Sequence, residues 1–113
     1  NGLDIIVVEK PELPTVLVGL ATRAGAIAAP AGKEGLAAMT ARMMRRGTKT
    51  KKALELDEAL GDLGTNLSSN ALREYSTLGT EVLTRDIDAA MGLMADVVID
   101  PSFPITSLKR RNR

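Results

Sequence analysis

The order of strand-like and helix-like stretches predicts an α+β fold, an antiparallel sheet with helices packed on one face. Three observations carry this. The stretches come as strand, strand, helix, helix, strand, strand, helix, helix, and the strands of a pair are joined briefly, as hairpins are. The helical stretches gather their aliphatic residues and methionines on one stripe, so each has a single face to bury. Hydrophobic residues make up 44% of the 113 and charged residues 26%, ordinary for a soluble globular chain, while aromatics are only 2%, so aliphatic residues and methionine must fill the core.

Leu3 to Val8 is a β-rich apolar run. Glu9-Lys10-Pro11-Glu12 is a turn, with Pro11 barring continuation, and Leu13 to Ala24 is a second β-branched run. These two are expected to form an antiparallel hairpin. A small-residue loop, Gly25 to Gly32, leads into an amphipathic helix expected over Gly32 to Thr48. Leu36, Met39, Met43 and Met44 share one helical face, Arg45 and Arg46 suit the C-terminal end of the dipole, and Gly47 is the expected C-terminal cap. Lys49-Thr50-Lys51-Lys52 is a basic connector, read as a solvated loop. It lacks the interleaved aromatics of a nucleic-acid patch, and the next helix is acidic.

That helix runs from about Ala53 to Leu63, burying Leu56, Ala59, Leu60 and Leu63, with Gly64 as cap. Glu55, Asp57, Glu58 and Asp62 are read as its solvated face rather than as metal ligands. Thr65 to Leu72 and Arg73 to Leu83 read as strands around the polar break Asn70 to Glu74. Thr84 is the expected N-cap of a helix with Asp86 and Asp88 in its first turn and Ile87, Met91, Met94 and Val98 on its buried face. Asp100-Pro101 stops it. A last helix starts at Ile105, made basic by Lys109, Arg110, Arg111 and Arg113.

Several function classes are excluded. No apolar run approaches the ~18 residues of a spanning helix, and a net charge of +1 gives no global pull toward nucleic acid. Cysteine is absent, so disulfides are too. No repeat at a fixed period is present. The chain opens on Asn1 with no basic n-region and no h-region. Either a signal peptide has been removed or upstream sequence is missing.

The stretch Gly35-Leu36-Ala37, followed by Gly47-Thr48 at the right separation, resembles the helix that carries the inverted zinc motif in the insulinase/pitrilysin-type metallopeptidases, G-L-A-H-x-x-E-H-x-x-x-x-G-T. Other pieces agree in order: Asn1-Gly2-Leu3, Leu13-Pro14-Thr15-Val16, Arg23-Ala24-Gly25, Ala89 to Val98, and Pro101-Ser102-Phe103-Pro104. The resemblance covers essentially the whole chain. It implies about half of an insulinase/mitochondrial-processing-peptidase-like domain, residues 1–113 being its N-terminal part, ending before the family's third zinc ligand, a glutamate.

The chemistry of that helix has departed from the pattern. The two histidine positions hold Ala38 and Arg42, and the general-base position holds Ala41. Alanine offers no lone pair, and arginine is a permanent cation that repels a metal. The chain has no histidine, so no shifted alignment restores the motif. The resemblance therefore implies a non-catalytic member, inactive alone and without a cofactor, zinc being expected only in a catalytic partner. Its implied role is to close the chamber of a homologous H-x-x-E-H subunit or domain and to hold an unfolded or extended peptide. In the family the peptide lies along a sheet edge, which here would be Leu67, Ser68, Ser69 and Asn70, with Ser68-Ser69 standing where active members have Asn-Ala. The competing readings are a structural or assembly protein reusing the fold and an active zinc peptidase, the latter requiring ligands this chain lacks. Arg42 is a candidate to hold a carboxylate at the vacated metal position. A half-domain leaves surfaces uncovered, so the chain is expected either to be a fragment of a longer protein or to associate with another copy. The resemblance points to the bacterial periplasm.

Overall fold

The computed structural model describes residues 2–111. Three strands and four helices follow in the order β1 (Thr15–Thr22), α1 (Leu36–Met44), α2 (Ala53–Asp62), β2 (Ser68–Ala71), β3 (Ser76–Leu83), α3 (Ile87–Ile99) and α4 (Ile105–Arg111). The sheet is antiparallel in the order β1-β3-β2. β1 pairs with β3 from Thr15↔Leu83 to Thr22↔Ser76, and β2 pairs with β3 from Ser68↔Gly79 to Ala71↔Ser76.

The central strand alternates as a half-buried strand should. Leu78, Thr80 and Val82 are buried on the helix side, while Glu81 and Leu83 are exposed on the other. Thr80 is the polar member of that inward row, and its hydroxyl donates to the Asn66 carbonyl at 2.9 Å. The helices meet this face. Leu56 and Leu60 of α2, Met94 and Val97 of α3, and Leu67 and Leu78 form the core, with Val18, Leu20, Met44 and Leu93 packed around it. The predicted class, an antiparallel sheet with helices on one face, is the observed one.

α2 follows the sequence closely, with Leu56 and Leu60 buried and Ala59 and Leu63 half-buried. Gly64 adopts φ +67 beyond its end; the Gly64 N–H donates to the Gly61 carbonyl and the Thr65 N–H to the Leu60 carbonyl. This is the paired C-terminal closure that favours glycine. The N-terminal end is different. Lys52 holds the N-cap position in extended geometry, and its side chain caps nothing. Glu55 stands three residues on, so Lys52→Ser completes a capping box. That substitution is expected to raise stability by about 1 kcal/mol and the melting temperature by roughly 4 °C. A thermal melt followed by circular dichroism checks it; an unchanged midpoint refutes it.

Four expectations are corrected. First, Leu3 to Val8 forms no hairpin with β1. The run is not in a strand, and Ile5, Ile6, Val7 and Val8 are each at least 75% exposed. Consecutive apolar residues suit a strand covered on both faces, whereas this two-layer unit covers one. Second, α1 is shorter than Gly32 to Thr48, beginning after Gly35 at φ +88. Gly47 caps nothing directly. At φ +117 it instead starts a tight turn bridged to Lys52, and Thr48 bridges Pro101. Third, Thr84–Asp86 is a 3-10 turn, so Thr84 is not the N-cap of α3. Fourth, α3 buries Ala90, Met94 and Val97, while Met91 and Val98 are exposed. Ala90 and Val97 lie on the stripe that lets the helix approach the sheet closely, and both are fully buried. Arg113, one of the cations expected in the last helix, lies outside the described residues.

Candidate functional site

β2 is an edge strand, and α1 packs beside it. The two are tied by one hydrogen bond. The Ser69 hydroxyl donates to the Ala41 carbonyl at 2.8 Å, taking up one of the last-turn carbonyls that a helix leaves to outside donors. Ala41 itself is 5% exposed, whereas Ala38 and Arg42 are exposed, one turn apart. The loop entering α1 is held by its own backbone: the Glu34 and Gly32 N–H groups keep the Glu34 carboxyl below its ordinary range.

The hydrogen-bond parity of the sheet decides which residues of β2 face outward. The Leu72 N–H donates to Tyr75, and the Thr84 N–H donates to Pro14. In an antiparallel ladder, bonded pairs alternate with unbonded ones. Ser68 and Asn70 therefore spend their main-chain groups on β3, while Ser69 and Ala71 present theirs to the free edge. By the same count, Thr15, Leu17, Gly19 and Ala21 present theirs at the opposite edge of β1. Leu67 is buried at 2% in the core, and the Ser68 and Asn70 side chains are exposed on the outer face of the sheet. Ala71 was not singled out in the sequence. The two-residue turn Arg73-Glu74, closed by the Leu72 N–H donating to the Tyr75 carbonyl, sets the parity that exposes it.

A cavity of about 300 Å³ lies between α1, the loop after β1 and the sheet. Leu20, Leu36, Ala37, Ala41, Met44 and Leu78 supply its apolar wall. Thr22, Thr40, Ser69, Ser76 and Thr77 also line it, the hydroxyls of Thr40, Ser69 and Ser76 donating to backbone carbonyls, and no acid, base or cation is among the lining residues. A hydroxyl without a neighbouring base is not activated as a nucleophile, so the cavity is suited to apolar groups and not to acyl transfer.

Zinc does not fit the motif positions. Ala38 and Ala41 bring no donor atom, Arg42 brings a fixed positive charge, and no group of three His, Cys, Asp or Glu converges elsewhere among the described residues. Arg42 makes no ion pair among the described residues, so the carboxylate expected opposite it is not supplied by them.

Residues 4–113 match the family model described as Insulinase (Peptidase family M16). The chain belongs to the insulinase family of peptidases. An uncharacterized zinc protease of Rickettsia bellii is 27% identical over 103 residues, covering 91% of this chain and 25% of the relative. A probable mitochondrial-processing peptidase subunit beta of Arabidopsis thaliana is 26% identical over 110 residues, covering 97% of this chain and 21% of that protein. The crystal structure of a peptidase M16 inactive domain from Pseudomonas fluorescens matches with a TM-score of 0.74 at 27% identity, covering 88% of this chain and 24% of that one. The chain thus spans about a quarter of the length of these insulinase-family relatives. The family's inverted zinc motif is absent from these 113 residues.

Proposed function

We propose that this chain is a non-catalytic, peptide-holding part of an insulinase-type zinc peptidase, in which a homologous subunit or domain bearing H-x-x-E-H carries out hydrolysis. The 113 residues form the N-terminal part of one domain in this reading. The observation that carries it is the juxtaposition of a motif helix without metal donors and an open strand edge. An extended peptide adds to β2 through the main-chain groups of Ser69 and Ala71, with Leu67 holding the strand in the core and Ser68 and Asn70 pairing it to β3. Because the recognition is through main-chain groups, selectivity for peptide sequence is low. The likeness to an inactive domain and to one member named as a subunit supports the same reading.

Proline distinguishes the two sides of the strand. At Ala71 it removes only an outward donor, which an edge strand tolerates. Ala71→Pro is therefore expected to keep the fold and weaken binding of a labelled extended peptide by about tenfold or more, the loss of one to two net hydrogen bonds. Leu17→Pro, on the opposite edge, is expected to leave binding unchanged. Fluorescence anisotropy decides it: equal affinity in Ala71→Pro, or equal loss in Leu17→Pro, removes β2 as the binding edge.

A further inference from the structure

Between the last turn of α1 and the start of α2 stand six cations in eleven residues, Arg42, Arg45, Arg46, Lys49, Lys51 and Lys52, with no acid among them. The whole chain carries 15 basic and 14 acidic residues, so this is a local concentration and not a general excess. Arg42, Arg45, Lys49 and Lys52 are exposed, and Arg46 and Lys51 are half-buried. Of these six cations only Lys49 is in an ion pair with a described residue, Asp100 at 3.4 Å. The α1 dipole accounts for Arg42, Arg45 and Arg46. It does not account for Lys51 and Lys52, which sit at the positive end of α2 where a cation is unfavourable and where Lys52 caps nothing.

The turn that displays these charges is held by a set of main-chain and hydroxyl hydrogen bonds. Gly47 adopts φ +117, and a Cβ there would stand 2.9 Å from the Lys51 carbonyl oxygen. The Thr48 N–H donates to that carbonyl at 2.7 Å, and the buried Thr48 hydroxyl accepts from the N–H groups of Thr50 and Lys51. The Lys49 N–H donates to Asp100, and the Ser102 N–H donates to Gly47. An ordered scaffold that holds unpaired like charges together is pre-organised to receive the opposite charge.

We propose that this turn is a docking surface for an acidic protein segment, an extended stretch rich in Asp and Glu. The surroundings favour a narrow partner. Glu55, Asp57, Glu58 and Asp62 of α2 begin three residues beyond Lys52 and bound the positive patch. A lipid surface or a nucleic-acid duplex would come to lie over both charges, whereas a single acidic chain covers only the turn. Neither Tyr75 nor Phe103, the only aromatics, lies in the segment, so base stacking has no platform there. The inference is independent of the β2 edge.

The test uses the 113-residue chain and a labelled peptide of alternating Glu and Gly, compared with its Gln counterpart. The acidic peptide is expected to bind about tenfold tighter at low salt, with the difference shrinking at about 0.15 M salt as screening sets in. Arg45→Gln combined with Lys51→Gln and Lys52→Ser is expected to erase that preference while the melting temperature holds or rises, an outcome that a merely structural role for these cations does not give. Lys109→Gln with Arg110→Gln, on α4, is expected to leave it intact. Equal loss in the α4 variant overturns the proposal, as does equal binding of the two peptides. Stronger binding to a single-stranded oligonucleotide or to vesicles containing phosphatidylserine overturns it as well.

Discussion

Replacing Gly25 with alanine is expected to destabilise the fold by about 3 kcal/mol or more. The backbone at this position is ordinary: φ is −91° and ψ is −169°, extended geometry that alanine adopts freely. The difficulty is space. A Cβ on Gly25 would stand 2.5 Å from the Arg73 carbonyl oxygen and from the Tyr75 nitrogen, and 2.6 Å from the Arg73 carbonyl carbon. Comfortable separations are ~3.5–4.0 Å. All three atoms are backbone, so no rotamer change relieves the overlap. The approach is close because the Ala26 N–H donates to Leu72 at 2.8 Å and the Ile27 N–H to Arg73 at 3.0 Å, fastening the loop after β1 onto the turn between β2 and β3. Alanine forces the loop away and breaks those bonds, or distorts the turn that sets the parity of the edge strand. Against a total stability of ~5–15 kcal/mol the loss is severe. Urea unfolding measures it as a lower midpoint at unchanged slope. Gly92→Ala in α3, where the added carbon meets nothing within 4 Å, is the control and is expected to match or exceed the wild-type midpoint. A Gly25→Ala midpoint equal to the control would mean that the loop does not approach the turn so closely.

Local signals made the existence of the helices legible, and of the expected caps the one at Gly64, whereas those at Gly47 and Thr84 were not realised. Leu56, Leu60 and Gly64 act through contacts a few residues away, and the sequence pattern records them directly. The resemblance pointed to an edge strand over Leu67 to Asn70; in the described sheet β2 (Ser68–Ala71) lies at one edge, while Leu67 precedes it and is buried in the core. What escaped depends on distant partners. The run Leu3 to Val8 has strand chemistry, but pairing is decided by which edges and layers surround it, and no local pattern encodes that. The buried face of α3 was misplaced by about one residue because Met91 and Val98 outweigh Ala90 as hydrophobes. Packing against the sheet rewards the smaller residue, which admits close approach, and not the larger one. In the candidate site, the identities at 38, 41 and 42 were readable at once. That Ala41 is buried against β2 while Ala38 and Arg42 remain exposed was not, because it depends on where the Ser69 hydroxyl reaches.

That difference in burial leads to the second large effect, a gain of zinc binding in Ala38→His with Arg42→His. The two positions are exposed and one turn apart, which is the spacing at which two neutral imidazoles share a metal. The exchange adds two donors and deletes a fixed positive charge at the same place. The double variant is expected to bind zinc measurably more tightly than the wild type in a titration at neutral pH, but weakly, because the described residues supply only two of the three protein ligands that a retained zinc needs. Zinc at a hundredfold its dissociation constant should then stabilise the variant by ~2.7 kcal/mol. A zinc-dependent rise in melting temperature would appear in the variant alone. Adding Ala41→Glu is expected to behave differently. The side chain at 41 is 5% exposed, so a carboxylate there is desolvated and costs stability before it serves any chemistry. The ligand positions are therefore recoverable by substitution, whereas the general-base position is not recoverable without repacking α1 against β2. Zinc held equally by the wild type would mean that carboxylates assemble a site elsewhere. A double variant that binds zinc no more tightly than the wild type in the titration would mean that residues 38 and 42 do not share an open face, which would undercut the placement of the motif on α1.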